Sequence, residues 1–191
     1  NLLTENQATA GDTLGTTVGV TQSVATVTVE TGITAAQGAT CFKVTATGAS
    51  AGMLVCQDLA AQYYVPVTPG ERYTFTARMK SDTITRNAGL QVMWRAANGS
   101  GVSTSYPNAW QALTADWEEF TFTGVAPAGA YLAIPEIVCQ GSIASEVYYV
   151  DELAFWAGVG GRWVPPGRPV PEVGDSWTIA AAPLTNGAPT Y

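Results

Sequence analysis

Apolar and polar residues alternate with a period of two along most of this chain. Val24–Glu30 shows it plainly, with Ala25, Val27 and Val29 set against Val24, Thr26 and Thr28. Successive side chains of a β-strand point to opposite faces, so such a run reads as a half-buried strand. The same reading predicts strands over residues 40–46, 52–57, 63–67, 72–80, 89–96, 117–125, 130–138 and 146–156. Each is bounded by turn formers, such as Thr68-Pro69-Gly70 and Asn98-Gly99-Ser100-Gly101. Short strands with frequent turns predict an all-β antiparallel sandwich. The only helical turns expected are around 58–62 and 108–112.

One strand breaks its own pattern. Val147-Tyr148-Tyr149-Val150-Asp151-Glu152-Leu153-Ala154-Phe155 places an acid among β-branched and aromatic residues, where Asp is disfavoured. Asp151 must face water, or satisfy a metal ion or backbone N–H groups.

The composition changes after Trp156. Gly158–Gly161 is rich in glycine, and Pro165, Pro166, Pro169 and Pro171 follow. Proline withholds a donor and fixes φ, so this stretch reads as an extended arm. The expected division is a sandwich over 1–157 and an arm over 158–191. The arm carries Trp163, Trp177 and Tyr191, too many aromatic rings for a plain linker. They are assigned to an interface with this chain or a neighbouring subunit.

Apolar residues make up 47% of the 191 positions and charged residues only 12%. A core is therefore available, while the surface must be built from Thr, Ser, Gln, Asn and Gly. The net charge of −7 leaves no electrostatic footprint for nucleic acid. No apolar run is long enough to span a membrane as a helix. A start at Asn1 suggests a segment of a longer polypeptide or a processed chain. Cys41, Cys56 and Cys139 match no zinc spacing, and histidine is absent. They read as small buried apolar side chains, with a Cys41–Cys56 bridge as the alternative.

Several motifs occur in a telling order. The chain opens Asn1-Leu2-Leu3-Thr4-Glu5-Asn6. Thr68-Pro69-Gly70-Glu71-Arg72-Tyr73 follows, then Leu90-Gln91-Val92-Met93-Trp94-Arg95. Asp116-Trp117-Glu118-Glu119-Phe120 precedes Ala126-Pro127-Ala128-Gly129, and the strand around Asp151 closes the set. Over residues 1–157 this resembles the jelly-roll carbohydrate-binding-module superfamily of the xylanase- and cellulase-linked type. The low-charge, Thr/Ala/Gly-rich style and the tail Gly160-Gly161-Arg162-Trp163-Val164-Pro165-Pro166-Gly167 look like bacteriophage minor tail and decoration proteins.

The first resemblance implies a structural calcium ion between the first and last strands, with Glu5 and Asp151 as carboxylate ligands and Asp12 as an alternative partner. The family's usual "S/G-F-E" opening is missing here; Thr4-Glu5-Asn6 stands in its place. The resemblance also implies carbohydrate binding. If Leu90, Val92 and Trp94 face the core, Gln91 and Arg95 face the concave groove of the sheet. Tyr106 and Trp110 lie in a polar loop where exposed aromatic rings are uncommon. Gln91, Arg95, Tyr106 and Trp110 are the candidate sugar-binding residues; otherwise these rings cover a sheet edge or a subunit contact. Trp117, Phe120, Phe122, Tyr73 and Phe75 are assigned to the core.

Catalysis gets no support from residue types. There is no histidine and no phosphate-cradling glycine loop, and Glu118 and Glu119 point to opposite faces. The reading is a non-catalytic module of a virion, tail or capsid decoration, joined to other subunits or to itself and contacting host glycans. The alternative is a secreted module of an enzyme that degrades polysaccharides.

Overall fold

A computed structural model describes residues 1–3, 7–8, 20–56, 64–82 and 86–158. The arm with Trp163, Trp177 and Tyr191 therefore lies outside the described residues, as do Glu5, Asp12 and the turn expected at 58–62.

The strands are β1 (Thr21–Ser23), β2 (Ala25–Glu30), β3 (Cys41–Ala46), β4 (Ala51–Leu54), β5 (Val65–Pro66), β6 (Arg72–Lys80), β7 (Asn87–Arg95), β8 (Gly101–Ser105), β9 (Gln111–Ala112), β10 (Glu118–Val125), β11 (Leu132–Cys139) and β12 (Val147–Ala157). They form two sheets. The larger is ordered β1-β4-β11-β7-β8, with β5 on β11 and β9 on β7; the smaller is β10-β6-β12-β3-β2. Every pairing is antiparallel. The fold is the expected all-β jelly-roll sandwich.

Alternation sets the core. Tyr73, Phe75, Ala77 and Met79 of β6 point inward from the smaller sheet, as do Phe120 and Phe122 of β10 and Tyr148 and Val150 of β12. Leu90, Val92 and Trp94 of β7 meet them from the larger sheet. Trp94 is 0% exposed, donates its indole N–H to Ser105 Oγ at 2.8 Å, and packs 6.1 Å from the Tyr73 ring. The three cysteines are buried, and none is joined in a disulfide. The Cys41–Cys56 bridge is therefore absent: Cys41 belongs to β3 in one sheet, and Cys56 follows β4 in the other.

Two expectations fail. Trp117 is not a core anchor: it is half-buried, donates its indole N–H to Thr34 O at 3.0 Å, and lies 6.0 Å from Lys80 Nζ. Residues 108–112 form no helical turn; they lead into β9 on the β7 edge.

The N-terminus closes the smaller sheet. β3 pairs β12 only over Val147–Val150, and beyond that a bulge between Asp151 and Ala154 shifts the register. Asn1 and Leu2 take the vacated edge. Leu2 N donates to Phe155 O at 2.7 Å, Phe155 N donates to Asn1 Oδ1 at 3.1 Å, and Asn1 Nδ2 donates to Leu153 O at 3.2 Å. One amide side chain thus supplies a donor and an acceptor to a bulged strand.

Val24, which joins β1 of one sheet to β2 of the other, has φ of 52° and is 48% exposed. A β-branched residue in the left-handed region is strained by about 1–3 kcal/mol. Asn tolerates that region, so Val24→Asn is expected to stabilise the fold by about 1 kcal/mol, raising Tm by roughly 2–4 °C. A thermal melt with unchanged or lower Tm would contradict this.

Candidate functional site

The outer face of the larger sheet follows directly from the burial of Trp94. With Leu90, Val92 and Trp94 inside, Gly89, Gln91, Met93 and Arg95 point outward. On the neighbouring β11, Ala133 and Ile137 enter the core. Leu132, Ile134, Glu136 and Val138 therefore share the outer face with them. The register sets Gln91 beside Glu136, Met93 beside Ile134, and Arg95 beside Leu132. On the far side, Leu54 of β4 lies beside Glu136 and Gly52 beside Val138.

Much of this face is apolar. Leu54, Cys56, Tyr64 and Ile134 form a second buried cluster, with Met93 and Leu132 packed against it. Among these sits one carboxylate. Glu136 is 7% exposed and accepts a hydrogen bond from the amide Nε2 of Gln91. Burial raises its pKa above the usual carboxylate range, and the Gln91 amide and the positive charge of Arg95 offset part of that. No ion pair reaches it among the described residues. The carboxylate leans over Gly52, where an added Cβ would sit 3.0 Å from Glu136 Oε1 and 2.9 Å from Ile137 O. Gly52 is thus the residue that leaves room for it.

A second glycine shapes the adjoining row. A Cβ on Gly89 would meet Pro107 Cγ at 2.6 Å and Trp110 Cε3 at 3.1 Å. The 106–110 loop therefore folds onto the sheet where it has no side chain. Trp110 stays 38% exposed, one row along from the Gln91–Glu136 pair. Asn108 Oδ1 accepts from Thr123 N at 2.8 Å, which ties the same loop to the free edge of β10. Tyr106, directly after β8, is 70% exposed.

Of the four residues assigned to a sugar site, Gln91, Arg95 and Trp110 share this face. Tyr106 stands at its rim. Glu136 was not among them. Its signal was present in Leu132-Ala133-Ile134-Pro135-Glu136-Ile137-Val138, an acid in an apolar strand, as at Asp151.

Asp151 is also fully buried, but on the outer face of the smaller sheet. Its Oδ2 accepts from Gln37 N at 2.9 Å and its Oδ1 from Glu152 N at 2.8 Å. The carboxylate ties the 31–40 loop to the β12 bulge, where Glu152 has φ of 49°. Among the described residues no three acidic, histidine or cysteine side chains converge as a metal site. Of the calcium ligands expected, Glu5 and Asp151, Asp151 alone lies among the described residues, and each of its oxygens accepts an N–H.

No family model matches the chain, and no curated protein matches it. Solved structures share its fold. The CBM22-1 xylan-binding domain of Paenibacillus barcinonensis Xyn10C aligns with a TM-score of 0.57 at 20% identity, over 82% of this chain and 93% of that one. The C-terminal family 22 carbohydrate-binding module of Clostridium thermocellum Xyn10B aligns with a TM-score of 0.56 at 16% identity, over 78% and 90%. The enzymatically active domain of tailspike protein 4 from bacteriophage CBA120 aligns with a TM-score of 0.53 at 14% identity. That match covers 72% of this chain and only 19% of the tailspike chain. At these identities the likeness is one of fold: the β-sandwich of carbohydrate-binding modules.

Two outcomes follow. Replacing Asp151 by Asn removes a charged acceptor from two N–H groups and is expected to cost about 2 kcal/mol. If N–H groups alone hold it, wild-type Tm is the same in excess calcium and in EDTA; a calcium-dependent Tm would show that an ion shares the carboxylate. Glu136 behaves in the opposite sense. Its folded pKa is raised, so its contribution is fully present below the unfolded carboxylate pKa and is lost as pH rises through the folded value. Glu136→Gln is therefore expected to be more stable than wild type at pH 7, with the difference vanishing in acid. Equal pH–Tm curves would contradict this.

Proposed function

We propose that this chain is a non-catalytic glycan-binding module whose site is the outer face of the larger sheet. One observation carries the reading: the desolvated Glu136 carboxylate, held by the Gln91 amide alone among the described residues, lies one row from the exposed indole of Trp110. An aromatic ring offers a face to a pyranose. A carboxylate and an amide beside it offer acceptors and a donor to the sugar hydroxyls. Few, well-placed polar groups on an apolar surface are what small-ligand sites generally present. A carboxylate kept buried without a cation destabilises the fold, and such local costs concentrate at functional sites.

The setting we favour is adhesion: a module of a virion or another surface assembly, outside cells, joined to neighbouring subunits. The sparse charge, the aromatic residues of the 158–191 arm and the fold shared with a phage tailspike domain support it. The coverage of whole xylan-binding modules favours the second setting, a module carried by a polysaccharide-degrading enzyme. Both use the same face.

Xylooligosaccharides are the first probe, followed by a glycan array. Trp110→Ala and Glu136→Gln are each expected to weaken binding at least about tenfold while the protein stays folded by circular dichroism. Absence of binding to every glycan at millimolar concentration would overturn the proposal.

A further inference from the structure

The outer face of the larger sheet holds a cation with no carboxylate in ion-pair contact among the described residues. Lys43, Arg78, Lys80 and Arg86 each have a carboxylate within 3.3 Å. Arg72 is exposed to water. Arg95 is neither paired nor fully solvated. Its Nε is buried with no hydrogen-bond partner. Its Nη2 reaches only the Met93 thioether, at 3.6 Å, and sulfur is a weak acceptor. Its Nη1 fills the space over Gly101, where a Cβ would sit 3.2 Å away. The guanidinium therefore lies along the sheet between Met93 and β8.

A buried donor on a charged group is costly to leave without an acceptor. Glu136 does not supply one. Gln91 and Arg95 are four residues apart on one strand, roughly 13 Å at the usual rise, and the Met93–Ile134 row lies between the two charges. The face thus has two polar ends. The Glu136–Gln91–Trp110 end presents acceptors, an amide and a ring. The Arg95 end presents a planar cation, partly buried, of the kind whose N–H fork fits a carboxylate with two parallel hydrogen bonds.

We propose that the glycan bound on this face is acidic, and that Arg95 receives the carboxylate of a uronic acid unit while units farther along the same glycan chain lie against Glu136 and Trp110. This rests on the face being a glycan site. The overall charge sharpens the inference. At −7 the chain repels a polyanion as a whole, so a preference for an acidic glycan has to come from a local group.

The test is a set of matched pairs bound to the full chain: polygalacturonate against its fully methyl-esterified form, and glucuronoxylan against the same polymer with its carboxyls reduced. In at least one pair the acid form is expected to bind about tenfold tighter, the effect of a charge-assisted hydrogen bond. Arg95→Gln should weaken the acid form far more than the masked form, bringing their ratio near one. Equal binding of both members in both pairs overturns the inference and leaves glycan binding standing. So does a ratio that a folded Arg95→Gln variant leaves unchanged. If that variant does not fold, the wild-type ratio alone decides. Failure to bind any member, or xylooligosaccharides, would instead remove the glycan-binding reading itself.

Discussion

Burying Trp94 determines where everything on the larger sheet points. Its side chain is the largest that is fully buried among the described residues, set against Tyr73 with its N–H on Ser105. A strand has a side-chain period of two, so a slip of one residue would carry Trp94 to the outside and bring Gln91 and Arg95 into the core. The cost of exposing that indole, and of burying a guanidinium in its place, holds the register of β7. β11 then follows from the hydrogen bonds with β7, and with it the position of Glu136. Gly52 and Gly89 complete the arrangement. They flank Val138 across the sheet and open the room that Glu136 and the 106–110 loop occupy. The outer face is thus shaped as much by two missing side chains as by those present.

The long strands were legible because each carries its own alternation. β6 was expected over 72–80 and is found there, and β2, β3, β7, β10, β11 and β12 differ from expectation only at their ends. β1, β8 and β9 were not anticipated. Gly101-Val102-Ser103-Thr104-Ser105 has almost no apolar side to bury, and β9 is two residues long. Such edge strands are held by hydrogen bonds to a better strand rather than by burying a face, and composition does not report that. Trp117 misled for a related reason. A large ring before Phe120 suggested a core anchor, but β10 begins at Glu118, and Trp117 lies beyond it, satisfied by a loop carbonyl. For the site, alternation was enough to send Gln91 and Arg95 outward together. It could not show that Trp110 would settle onto Gly89, because that depends on a contact between a loop and a strand distant in sequence.

Asp151 and Glu136 show how far one sequence signal can carry. Each is an acid in a largely apolar strand, and each ends up buried on the outer face of its sheet. What separates them is the surrounding backbone. β12 is bulged at Asp151, which frees N–H groups, and the carboxylate takes up Glu152 N there and Gln37 N from the facing loop. β11 is regular at Glu136, its N–H groups are committed to β4 and β7, and among the described residues the carboxylate finds only the neutral Gln91 amide. The first acid closes local demands of the fold. The second adds a demand that the fold leaves only partly met. An acid in a strand therefore says that something must satisfy it. At Asp151 the bulged strand and the facing loop supply that partner from the backbone, whereas at Glu136 the regular strand does not and a side-chain amide stands in.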